Sequence, residues 1–143
     1  METTATTTET AARLRRAITR LNRRLRHSAL GGVSPAQASM LASIDSLKNP
    51  SLGDLAIAEQ IQPPSVTRLV RTMESARLIA CVPDPDDRRS TRVKLTPVGR
   101  REIESIRRRK TEFLERKLLA LSSVDQHKAD ELVHFLEMLL AEE

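Results

Sequence analysis

Residues 63 and 64 are both proline. Two successive prolines cannot lie inside an α-helix, because each lacks the amide hydrogen of the helix ladder and its ring collides with the preceding turn. On both sides of the pair the apolar residues nevertheless keep helical spacing. Leu52, Leu55, Ala56 and Ile61 precede it, and Val66, Leu69, Val70 and Met73 follow at i, i+3, i+4 and i+7. One helix must therefore end near Gln60-Ile61-Gln62, and another must begin at the prolines, which are tolerated at the first helical positions. Two short helices joined by a tight turn are the sequence form of a helix-turn-helix.

The flanking chain is also punctuated. Met1 to Thr10 is Thr-rich, lacks an apolar face and is expected to be a disordered tail. Leu14, Ile18, Leu21 and Leu25 then recur at helical spacing from about Ala11 onward. Gly31-Gly32 closes that helix. Ser34-Pro35 opens the next, whose buried face is expected to be Met40, Leu41, Ile44 and Leu47, and Asn49-Pro50 stops it. After the second short helix the period falls from 3.6 to 2. Leu78–Val82 and Arg92–Leu95 read as paired strands around a long polar hairpin loop, Pro83 to Ser90. Thr96-Pro97 starts a long helix with Ile103, Ile106, Phe113, Leu114, Leu118 and Leu121 on its apolar side. A last helix begins at Ser122, with Asp125 three residues on as a capping box, and carries Ala129, Leu132, Val133, Leu136, Leu139 and Leu140. The expected fold is mainly α with a small β-hairpin wing, a winged helix-turn-helix between N- and C-terminal helices.

Charge narrows the class of partner. Residues 1–110 hold 21 Lys/Arg against 11 Asp/Glu, whereas residues 111–143 hold 3 against 8. A basic body with an acidic end favours a polyanion. There is no Trp or Tyr and only two Phe. Binders of single-stranded nucleic acid need aromatic platforms, so duplex DNA is the favoured polyanion. A helix-turn-helix delivers the start of its second helix to the major groove. Pro64, Ser65, Thr67, Arg68, Arg71 and Thr72 occupy or border the face of that helix opposite its apolar stripe. Arg68 has the fork geometry to read guanine or to hold phosphate. Arg88 and Arg89 sit at the hairpin tip beside Asp86 and Asp87, where an arginine can enter the narrow minor groove.

The run Leu55-Ala56, Pro64 to Val70, Leu78-Ile79, Asp84 to Arg89 and Val93 to Gly99 resembles the MarR family of transcription regulators. The resemblance covers about residues 11–141. It implies a single domain over residues 11–143, with 34–96 as the DNA-binding part and 11–30 and 97–143 as dimerisation helices. It further implies that Asp87 holds Arg89, and that Arg89 enters the minor groove. The expected activity is that of a dimeric, sequence-specific regulator, a repressor at a pseudo-palindromic operator, relieved in many relatives by a small anion. In this family glycine usually precedes the Leu-Ile pair that opens the first wing strand; here the residue is Arg77, which must take a left-handed cap or end the helix differently.

Two stripes, Leu14/Ile18/Leu21/Leu25 and Leu132/Leu136/Leu139/Leu140, are too much apolar surface for a chain of this size to bury alone, and a homodimer is expected. An effector crevice would be lined by Arg13, Arg16 or Arg20 with Phe113, and so few aromatic side chains predict weak affinity for aromatic acids. The histidines are scattered, no spacing matches a metal site, and neither a cofactor nor an enzyme's nucleophile constellation is expected. Cys81, in a predicted strand, reads as a packing residue rather than a redox sensor. With no apolar run long enough for a membrane span and no signal-peptide core, a cytoplasmic address is expected. The alternatives are a sequence-tolerant architectural DNA-binder and a dimeric winged-helix module that binds protein instead.

Overall fold

The computed structural model describes residues 5–141. Its elements are α1 (Thr7–Ala29), α2 (Pro35–Leu47), α3 (Leu52–Glu59), α4 (Pro63–Ser75), β1 (Ile79–Pro83), β2 (Thr91–Leu95), α5 (Pro97–Leu119) and α6 (Ser123–Leu140). The two strands form one antiparallel hairpin in which Ile79 faces Leu95 and Pro83 faces Thr91. The mainly helical class and the hairpin wing agree with the sequence reading.

Local chemistry sets most boundaries. Ser34 and Ser51 each accept the amide of the third helical residue, and Gln37 and Asp54 return a bond to the cap amide. Thr96 caps α5 through the amide of Gly99. Thr6 does the same for α1 with Glu9, so α1 starts at Thr7, inside the stretch expected to be a disordered tail. The reciprocal Thr6–Glu9 box satisfies two end donors without needing an apolar face, and an apolar-stripe criterion overlooks it. The part of that expectation concerning Met1–Thr4 lies outside the described residues. At α6 the amide of Asp125 reaches Ser122 Oγ at 3.2 Å, but the Asp125 carboxylate takes the Ser122 hydroxyl rather than the cap amide.

The helix ends use left-handed residues. Gln60 closes α3 at φ 54° and Arg77 closes α4 at φ 61°. At α4 the Leu78 amide donates to the Met73 carbonyl at 3.0 Å and the Arg77 amide to Glu74 at 2.9 Å, the paired bonds of a Schellman cap. Arginine in place of glycine costs about 1 kcal/mol there. The Thr96 hydroxyl bonds the Arg77 carbonyl and so holds the strained residue in place.

One core joins the middle of the chain: Met40, Leu41 and Ile44 from α2, Leu55 from α3, Val66, Val70 and Met73 from α4, Leu78, Ile79 and Val93 from the hairpin and Ile103 from α5. Every member is aliphatic or a thioether, each contributing about 1.5–3 kcal/mol on burial. Leu47, expected on this face, is 46% exposed. It is the last residue of α2, where Lys48 and Asn49, both at positive φ, turn the chain away. Polar clamps surround the core. Glu59 accepts the hydroxyls of Ser39 and Ser43, and Asp45 accepts Arg100 and Arg107 from α5. The outer helices bury almost nothing. α1 buries only Ala29 and α6 buries no residue, while Ile18, Leu21, Leu132, Leu139 and Leu140 are exposed and Leu14, Leu25 and Leu136 are half-buried. On α5, Leu118 and Leu121, just beyond its end, are also exposed rather than packed.

Among the four glycines the tightest approach is at Gly99. A Cβ there would stand 1.9 Å from the Leu78 carbonyl oxygen. Since the obstacle is backbone, Gly99→Ala must shift α5 away from the α4–β1 joint. The expected loss is about 2 kcal/mol or more, read as a lower urea midpoint at constant m-value.

Candidate nucleic-acid interface

The apolar stripe of α4 turns Val66, Val70 and Met73 into the core. Ser65, Arg68, Arg71 and Thr72 are thereby exposed, and Thr67 is half-buried. The hydroxyls are not equivalent. Thr67 donates to the Pro63 carbonyl at 3.1 Å and Thr72 to the Arg68 carbonyl at 3.0 Å, so each hydroxyl has its hydrogen engaged and keeps only acceptor capacity. Ser65 makes no such bond among the described residues.

The start of α4 departs from an ordinary helix N-terminus. Pro63 and Pro64 have no amide hydrogen, and the amides of Ser65 and Val66 both turn back to the Gln62 carbonyl, at 2.9 and 3.2 Å. The amides of the first three helical residues are therefore not available to a phosphate at this position. Contacts from this helix to an anion must come from the side chains, chiefly Arg68 and Arg71.

The wing is an ordered loop. The Asp84 amide donates to the Ser90 carbonyl and the Ser90 amide to the Asp87 carbonyl, each at 2.9 Å. Asp84 Oδ1 accepts the Asp86 amide at 2.8 Å and Asp87 Oδ1 accepts the Arg89 amide at 3.0 Å. Arg88 and Arg89 are exposed. Asp87 thus holds Arg89 through its backbone amide, and among the described residues no ion pair joins the Asp87 carboxylate to the Arg89 guanidinium. The carboxylate–guanidinium pair of the wing is Asp84–Arg92, at 2.7 Å, with Asp54 of α3 at 3.7 Å from the same guanidinium. The Asp86 amide and then Arg92 hold the Asp84 carboxyl below its ordinary range. Sequence reasoning missed this trio. Asp84 at the base of the loop and Arg92 near the start of β2 are signalled only once the strand register is drawn, and Asp54 by nothing in the sequence pattern.

Between the end of α1, α2 and α5 lies a crevice of about 300 Å³. Arg26, Arg107 and Lys110 line it with aliphatic walls from Leu30, Pro35 and Ile106. Arg13, Arg16, Arg20 and Phe113, expected at such a crevice, do not line this one. The three arginines lie nearer the N-terminus of α1, and Phe113 carries Lys117 Nζ 5.7 Å from its ring centre. Arg107 also bonds Asp45 at 2.6 Å, which with Arg100 lowers the Asp45 carboxyl pKa. That ion-pair contribution to stability is present above the ordinary carboxylate range and is lost as pH falls through the depressed value. Among the described residues no cluster of His, Cys, Asp and Glu is arranged to hold a metal ion, and no helix is long and apolar enough to cross a membrane.

The order of these elements, helix-turn-helix followed by a two-stranded hairpin, matches known proteins. Residues 33–91 match the MarR family model. An HTH-type transcriptional regulator of Mycobacterium leprae is 32% identical over 116 residues, covering 79% of this chain and 80% of that protein. The chain belongs to the MarR family. It is a transcriptional regulator of that family, related to a Pseudomonas aeruginosa regulator of known structure at 31% identity and TM-score 0.79, over 93% of this chain and 94% of the other. Staphylococcus aureus MepR, solved bound to an oligodeoxyribonucleotide, shares the fold at TM-score 0.70 and 19% identity, over 92% and 97% of the two chains.

Within this MarR-family chain Cys81 is a half-buried strand residue. Burial, and then the neighbouring Glu74 carboxylate, pushes its thiol pKa up to about 11. At pH 8 the thiolate fraction falls more than about a hundredfold below that of a thiol with an ordinary pKa. Iodoacetamide should therefore alkylate Cys81 more than about a hundredfold more slowly than free cysteine at pH 8, with the rate still rising above pH 10. A rate equal to that of free cysteine contradicts the assignment of Cys81 as a packing residue.

Proposed function

We propose that this regulator is a homodimer that binds duplex DNA sequence-specifically and represses at a pseudo-palindromic operator. The observation that carries the reading is the presentation of exposed arginines by two elements packed on one core, Arg68 and Arg71 on the outward face of α4 and Arg88 and Arg89 at the tip of the wing. α4 has the dimensions to lie in a major groove, where Arg68 reads a base or grips phosphate and Ser65, Arg71 and Thr72 flank it. The wing reaches the adjacent minor groove with Arg89, and Arg88 adds charge. Asp87 contributes by shaping the Arg89 backbone. A MepR variant, a protein of the same fold, has been solved bound to an oligodeoxyribonucleotide, which supports DNA as the partner.

The dimer reading rests on the outer helices. Leu132, Leu139 and Leu140 on α6 and Ile18 and Leu21 on α1 leave a large apolar surface uncovered. A second copy covers it with the same two helices, joined by the half-buried Leu14, Leu25 and Leu136. Any small anionic effector would sit in the crevice beside Arg26, Arg107 and Lys110, whose aliphatic walls offer no ring to stack on. Soluble cytoplasmic action at the chromosome follows from the same reading.

Selection from a random duplex pool tests it. The recovered sequences should be palindromic with half-site centres about 10 base pairs apart. Arg68→Ala should cost about 1–3 kcal/mol per half-site and relax preference at one symmetric position. Arg89→Ala should weaken binding evenly across operators. Recovery of no preferred sequence favours the architectural reading. No DNA retention, with no loss on added salt, favours a protein-binding module.

Leu136→Asp with Leu140→Asp should abolish dimers, and much of the folded structure with them. Sedimentation and circular dichroism at micromolar concentration read both. A well-folded monomer from that variant, or from the wild type, contradicts the dimer.

A further inference from the structure

Arg92 stands where three pieces of chain meet. Its Nε donates to Asp84 Oδ2 at 2.7 Å, and its Nη1 lies 3.7 Å from Asp54 Oδ2. Asp84 is buried at the base of the wing loop. Asp54 sits in the first turn of α3, where its carboxylate also accepts the Ser51 amide at 3.0 Å. The backbone reinforces the junction. Ser51 bridges to Arg92, and the Val93 amide donates to the Pro50 carbonyl at 2.9 Å. One edge of β2 is therefore joined to β1 and the other to the start of α3.

A hairpin anchored only through its strands can swing about its base. Here the base carries a buried carboxylate tied by a guanidinium to the helix that leads into α4. We propose that Arg92 is a positioning residue, a strut from Asp84 to Asp54 that fixes the angle of the wing relative to the helix-turn-helix. Arg89 then meets the minor groove of the duplex whose major groove holds α4. The proposal rests on the DNA-binding reading of the wing.

A purely electrostatic role makes the opposite prediction for one variant. The loop holds Asp84, Asp86 and Asp87 against Arg88 and Arg89, so Arg92 also offsets negative charge near phosphate. If that were its whole role, Asp84→Asn would tighten DNA binding by removing a repelling carboxylate. If Arg92 is a strut, Asp84→Asn loosens the wing and weakens binding despite the lost charge.

The test measures affinity of the full chain for the selected operator, its salt dependence, and hydrogen exchange of the wing amides. Arg92→Gln and Asp84→Asn should each bind about three- to tenfold more weakly, and the double variant no more weakly than the worse single one, as expected of partners in one interaction. The amides of Asp84, Arg89 and Ser90 should exchange faster in all three. The salt slope should be unchanged, because a strut releases no counterion of its own. Arg92→Lys keeps the charge and guards against a folding artefact; its single ammonium cannot span both carboxylates, so its wing amides should also exchange faster.

Tighter or unchanged binding by Asp84→Asn overturns the proposal, as does unaltered wing exchange in Arg92→Gln and Arg92→Lys. A salt slope reduced by about one per site in Arg92→Gln makes Arg92 a phosphate ligand instead of a strut. Unchanged affinity in Arg89→Ala has a different meaning. It removes the wing from the DNA interface, and the proposal falls with that reading, whatever the exchange data show about Arg92 itself.

Discussion

The architecture turns on the approach of the Leu78 carbonyl to Gly99. The α4 cap, the first wing strand and the start of α5 all converge there. Thr96 ties them together, its amide donating to the Leu78 carbonyl at 3.1 Å while its hydroxyl donates to the Arg77 carbonyl and accepts from the Gly99 amide. The absence of a side chain at Gly99 lets α5 pack directly on backbone. Because α5 carries Arg100 and Arg107 to Asp45 and Arg109 to the Ala29 carbonyl, the same joint fixes α2 and the end of α1 relative to the hairpin. That close contact, together with Ile103 in the shared core, gives the helix-turn-helix and the outer helices a common reference frame.

Elements marked by covalent or capping chemistry were legible in the sequence. Pro63-Pro64 placed the start of α4, Ser34-Pro35 that of α2 and Thr96-Pro97 that of α5. The change of period placed the hairpin. Arg77 was legible as a conflict between a left-handed position and a side chain, and the fold resolves it with a Schellman cap. Thr6 was harder, since its cap depends on one short-range reciprocal pair rather than on a repeating pattern. Leu47 was misplaced because periodicity says which face a residue is on and not where the neighbouring surface stops.

Features of the candidate site that depend on tertiary distance were not legible. Arg92 lies eight residues from Asp84 and far from Asp54 along the chain, so their meeting depends on strand register and on the seating of α3. The crevice shows the same limit. Arg26, Arg107 and Lys110 are unremarkable in a chain so rich in basic residues, and the way α1 lies across α5 selects them over Arg13, Arg16 and Arg20. Charge count favoured a polyanion as partner, but it could not say which of many arginines share a cavity.

The construction of α4 separates two kinds of selection pressure. Its beginning is set by two prolines and its end by backbone bonds, so neither boundary relies on an outward side chain. Ser65, Arg68 and Arg71 make no bond that the core depends on, and the bonds of Thr67 and Thr72 stay within their own helix. Substitutions on that face leave the buried Val66, Val70 and Met73 untouched. The outward surface of α4 can therefore diverge between lineages at little cost to folding, which is the condition under which duplicated copies of one scaffold acquire separate targets.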